Sequence, residues 1–111
     1  MLKDLKEDVI FSKKDGSLVA RLCCEIDHHT ARGMRERIDG ELFRLRPECL
    51  VLDFSGVRFM DSSGIGLILG RAELASGMRA SVRLVGLSPA LMKLLRLAGL
   101  ERVKNLTVSR S

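Results

Sequence analysis

At 111 residues the chain has the length of one domain, enough to bury a core but too short for a catalytic domain plus a substrate domain. Its 46% hydrophobic and 30% charged residues are globular proportions, and no apolar run approaches the length needed to cross a bilayer. The net charge of +5 raises nucleic-acid binding, but Lys and Arg are scattered among acids and neither Trp nor Tyr is present to stack on bases, so a solvated surface or attraction to an acidic protein is expected instead.

Residues 1–8 alternate charged and apolar side chains without a continuous apolar stretch, so no secretory leader is read and a cytoplasmic location is expected. Apolar residues over 5–12 and 17–24 flank the turn sequence Lys13-Lys14-Asp15-Gly16, which predicts a β-hairpin. Cys23, Cys24 and Cys49 are an odd set and are expected as reduced thiols. Neighbouring cysteines on a strand face opposite ways, and Cys23-Cys24 with His28-His29 matches no zinc spacing, so no metal site is expected.

From Thr30 to Arg46, Ala31, Met34, Ile38, Leu42 and Leu45 recur at helical spacing, and Pro47 is the stop. The outer face of that helix carries Arg32, Arg35, Arg37 and Arg44 among Glu36, Asp39 and Glu41, and reads as solvated. Cys49 to Phe54 is a nearly continuous apolar run, the pattern of a strand covered on both faces. A second helix is predicted from Asp61-Ser62-Ser63 to Gly77, with Ile65, Ile68, Leu69, Ala72 and Ala75 on one face. Leu67 and Leu74 fall on the other side, where they either touch a partner or lie under a neighbouring helix.

Ser81 to Gly86 reads as another strand. Ser88-Pro89 then opens a third helix with a stripe of Met92, Leu95 and Ala98, ended by Gly99. A short strand within 103–108 completes the order β-β-α-β-α-β-α-β. Helices that alternate with strands after a hairpin predict an α/β fold with a mixed, largely parallel sheet, as one domain over 1–111.

The densest cluster of special residues is Phe59-Met60-Asp61-Ser62-Ser63-Gly64-Ile65-Gly66, at a helix start. Capping accounts for one polar residue of the triplet. Gly64 and Gly66 lower helix propensity there and point to close approach of a phosphate or a partner's backbone. A dinucleotide site fits poorly: the glycine spacing is wrong, and no acid lies between Glu73 and Glu101. A serine hydrolase fits poorly too, because no nucleophile-elbow sequence surrounds Ser62 or Ser63, although Asp27, His28 and His29 are available.

The segment from Phe59 to Arg71, with Glu25-Ile26-Asp27-His28-His29-Thr30, resembles the anti-sigma factor antagonists of the STAS domain family over nearly the whole chain. The paired histidines point to the sporulation branch of that family. The resemblance implies a four-helix-on-a-sheet fold and a switch that is not an enzyme. Unphosphorylated protein would bind an anti-sigma factor that is also a serine kinase and so release the sigma factor. The kinase would then use ATP to phosphorylate Ser62, and a serine phosphatase would reset the switch. No cofactor of the chain's own, no nucleic acid and no membrane are implied, and a monomer is expected when the chain is alone. Asp27, Asp61, Ser63, Gly64 and Leu67 would meet the partner around Ser62. A STAS switch in another partner-switching system, such as a general stress response, is the alternative. Two departures from the family pattern stand out: Cys24 replaces the usual glycine before Glu25, and Leu106 to Ser111 leaves little room for a terminal helix.

Overall fold

Asp15 and Gly16 both have positive φ, 49° and 82°, as a two-residue hairpin turn requires, and they join β1 (Val9–Lys14) antiparallel to β2 (Ser17–Leu22). The structure, a computed structural model, describes residues 8–109. The predicted first strand is therefore shifted: it starts at Val9 and runs to Lys14, while Leu5 lies outside the described residues. Since β2 stops at Leu22, Cys23 and Cys24 are in a loop and not on a strand as expected.

The chain continues through α1 (His28–Leu45), β3 (Cys49–Asp53), α2 (Ser62–Gly77), β4 (Ser81–Val85), α3 (Pro89–Leu97) and β5 (Leu106–Val108). The strands lie side by side in chain order, β1-β2-β3-β4-β5, and every pairing after the hairpin is parallel. The fold is thus the mixed, largely parallel α/β sheet that was expected. In place of a fourth helix there is a single 3-10 turn at Leu100–Arg102, and α1 starts two residues early because Asp27 caps it. Arg46, with φ 46°, closes α1 by donating its amide to the Leu42 carbonyl at 2.9 Å.

Alternate strand residues, among them Leu18, Ala20, Leu50, Leu52, Val82 and Leu84, are buried against Met34, Ile38 and Leu42 of α1, Ile68, Ala72 and Ala75 of α2, and Leu91 and Leu95 of α3. Among the described residues no such layer covers the opposite face. Val51 is only 4% exposed, yet it stands apart from that core, flanked in register by Val19 and the exposed Arg83. Strand β3, expected to be covered on both faces, carries helices on one. In α3 the buried pair is Leu91 and Leu95: Leu95 lies on the predicted stripe, while Met92 is half-buried and Ala98 exposed. Asn105 ties the end of the chain to the helix layer, donating through Nδ2 to the carbonyls of Ala72 at 2.9 Å and Ala80 at 3.1 Å.

Arg37 is exposed, as the solvated reading expects, and its guanidinium sits over the Phe11 ring, 5.5 Å from the centroid. At the carboxyl end of the sheet, Gly86 has φ 73°, and a Cβ there would come 2.7 Å from Asp53 Oδ1 and 2.8 Å from the Ser55 amide nitrogen. Gly86→Ala is expected to destabilise the protein by about 2 kcal/mol, through left-handed backbone strain and this contact, read as a lower urea midpoint.

Candidate functional site

Two helix starts are set next to each other by a short parallel bridge. Ile26 pairs with Met60: its amide donates to the Phe59 carbonyl, and its carbonyl accepts from the Asp61 amide, both at 3.1 Å. Asp27 and Asp61 follow at equivalent positions, and each is the N-cap of its helix. Asp27 Oδ1 accepts from the amides of His29 and Thr30, both at 2.9 Å, and Thr30 Oγ1 accepts from the Asp27 amide at 3.0 Å, completing a capping box. Asp61 Oδ1 accepts from the Ser63 amide at 2.7 Å.

The Thr30 amide, with the His29 amide adding to it, holds the Asp27 carboxyl below its ordinary value. The stability this supplies is complete above the ordinary aspartate range and is lost as pH falls through the lowered value. Neither helix has an acidic residue in its first turn, so beyond the two caps the positive ends of both dipoles are uncompensated.

Around these caps the predicted site residues separate. Ser62, the first residue of α2, is exposed, and Ser63 is half-buried beside it. Gly64 points inward, where a Cβ would run into the side chain of Met60. Its lack of a side chain serves internal packing, which corrects the expectation that it meets a partner's backbone. Leu67 is only 4% exposed and belongs to the core, so of the two readings given for it the structure takes burial and corrects it as a surface contact. Leu69, placed on the buried stripe by periodicity, is instead 40% exposed. With Phe59 at 54%, it leaves apolar surface on the α2 side of Ser62. Asp61 directly precedes Ser62 and Asp27 stands at the equivalent place of the neighbouring helix start, and each has a structural task as a cap.

No hydrogen bond joins His28 or His29 to Ser62 or Ser63 among the described residues, and the Asp27 carboxylate is engaged by its own helix, so the parts of a hydrolase triad are near one another without being assembled. Sequence reasoning missed a hollow of about 560 Å³ between α1 and α2, lined by His28, His29, Arg32, Arg35, Ser63 and Leu67. The spacing of residues 28, 32 and 35 on one helix face was the available signal. Below it, Arg71 of α2, 6% exposed, places Nε 2.8 Å from Asp39 Oδ1 of α1. Burial holds the Arg71 guanidinium below its usual value; Asp39 opposes that shift, and Arg35 adds to it.

Cys24, in the loop leading to Asp27, donates its thiol to Asp8 Oδ1 at 3.6 Å. Burial, followed by the Asp8 charge, pushes the thiol up to about 11 from 9.0. Because the thiolate is the nucleophile, Cys24 is expected to alkylate about a hundredfold more slowly at pH 8 than an unperturbed thiol, and Asp8→Asn to recover part of that rate, as followed by peptide mass mapping.

The mixed α/β sheet is that of a known domain class. The STAS domain model covers residues 8–110, and the chain belongs to the STAS domain family. It is similar to the anti-sigma F factor antagonist of Paenibacillus polymyxa, at 36% identity over 88 residues, 79% of this chain and 75% of the relative. It also resembles the anti-sigma factor antagonist SpoIIAA in its unphosphorylated form, with TM-score 0.71 and 25% identity over 93% of this chain and 88% of that one. The phosphorylated form of SpoIIAA from Bacillus gives TM-score 0.70 and 27% identity, over 93% and 92%.

Proposed function

We propose that this protein is an anti-sigma factor antagonist that works as a phosphoswitch in the cytoplasm of a sporulating bacterium. Unphosphorylated, it binds an anti-sigma factor that is also a serine kinase, and the sigma factor is released. Phosphorylation of Ser62 by that kinase, with ATP as donor, dismisses the antagonist, and a serine phosphatase restores it. The chain itself is a substrate of these enzymes and catalyses nothing.

The observation that carries this reading is the placement of Ser62. Its hydroxyl is exposed at the first residue of α2, where a helix dipole favours added negative charge, and Phe59 and Leu69 offer apolar surface near it. The similarity to SpoIIAA, at nearly equal TM-scores for its unphosphorylated and phosphorylated forms, agrees with a modification that leaves the fold in place.

Intact mass after incubation with ATP and the candidate kinase tests the assignment. One added phosphate on wild type and none on Ser62→Ala is the expected result. Phosphate persisting in Ser62→Ala overturns Ser62 as the acceptor.

A further inference from the structure

On α1, His28, Arg32, Arg35 and Asp39 are spaced i, i+4, i+7 and i+11, and so form one stripe. Ser63, Leu67 and Arg71 make the answering stripe on α2. The Asp39–Arg71 pair closes one end of this seam, and the other end opens as the hollow beside the two helix starts. The charge of that hollow is one-sided, because no carboxylate lines it. Arg32 has only a loose, exposed contact with Glu36 at 3.7 Å, and Arg35 makes no ion pair among the described residues. Neither imidazole has a hydrogen-bond partner there. A preformed cleft with two guanidinium forks, two imidazoles and a serine, and no carboxylate in its lining, has the chemistry of an oxyanion receptor.

We propose that this hollow is a binding site for a phosphoryl group, and that in protein phosphorylated at Ser62 the group it takes is the one on Ser62. The second half rests on the phosphoswitch reading, and the first half stands without it. Ser62 immediately precedes Ser63 of the hollow's lining. The Ile26–Met60 bridge makes His28 and Ser62 the corresponding first residues of neighbouring helices, on backbones about 4.8 Å apart at the bridge. The carboxylates that cap these two helix starts are Asp27 and Asp61. Each is already held by amide donors of its own helix, which reduces its repulsion of a second anion.

The test begins with inorganic phosphate titrated into unphosphorylated protein, followed by backbone amide shifts. Saturable shifts concentrated in residues 27–35 and 62–64 are expected. Arg35→Gln should weaken the affinity about tenfold, as the loss of one charge-assisted contact does, while Arg44→Gln, further along α1, should leave it unchanged. Protein carrying phosphoserine at position 62, introduced during translation without any kinase, should no longer respond to free phosphate. Shifts spread over the whole basic surface, or an affinity untouched by Arg35→Gln, overturn the site. Undiminished binding of free phosphate by the phosphoserine protein overturns Ser62 as its source. Because no kinase is used, a kinase that failed to modify Ser62 would sink the functional proposal and leave this one standing.

Discussion

Protein carrying phosphoserine at position 62 is expected to bind its anti-sigma partner about a thousandfold more weakly than the unmodified protein, while its melting temperature moves by only a few degrees. Phosphate adds about −1.5 to −2 charges at a surface that, on the proposed switch, is complementary to a hydroxyl. Desolvating that anion against an unchanged partner costs about 4 kcal/mol, which is the thousandfold loss. The fold is spared because Ser62 is exposed at the first position of α2, with no acid in the first turn and two helix N-termini beside it. Calorimetric titration of the partner, paired with thermal unfolding followed by circular dichroism, reads both halves. Loss of helical signal at ordinary temperature would refute this account, since binding would then be lost through unfolding.

The second large effect is expected at Arg71. Arg71→Ala should destabilise the protein by about 3 kcal/mol, the lower part of the range for breaking a buried pair, because Asp39 keeps 27% of its side chain in contact with solvent. Two losses combine: the Asp39 carboxylate is left without its cation, and the space under α1 is emptied. Arg71→Met together with Asp39→Asn removes both charges and keeps volume, and should recover most of the loss in urea unfolding. If the double variant were no more stable than Arg71→Ala, neither the unpaired carboxylate nor the emptied space would be the source of the loss, and this account would be refuted.

Much of this architecture was legible in the residues. Asp15-Gly16 is a turn pair because it tolerates positive φ, and Asp61 and Ser88 announce their helices because a short polar side chain can reach the free amides of the first turn. The face of α2 was harder to read. Ile65, Leu67, Ile68, Leu69 and Leu74 surround much of the helix, so periodicity alone could not say that Leu67 turns inward and Leu69 outward. Arg71 defeated the pattern for the opposite reason: a charge on a core face looks like an error until its partner, 32 positions earlier at Asp39, is brought to it by the fold. Gly64 seemed to make room for a visitor, and the visitor is Met60. The basic hollow is hidden in the sequence because its walls come from two helices that only the fold brings together.

The strand order has a consequence for how the chain reaches this state. As β1 to β5 lie side by side in the order in which they are made, no strand must wait for a later one before it can pair. After the hairpin, each crossover closes onto the strand made just before it, so no pairing spans more than one helix and its connections. A chain leaving the ribosome can extend its sheet one strand at a time, and β5, the last and shortest strand, completes a structure whose earlier edges have already found their neighbours.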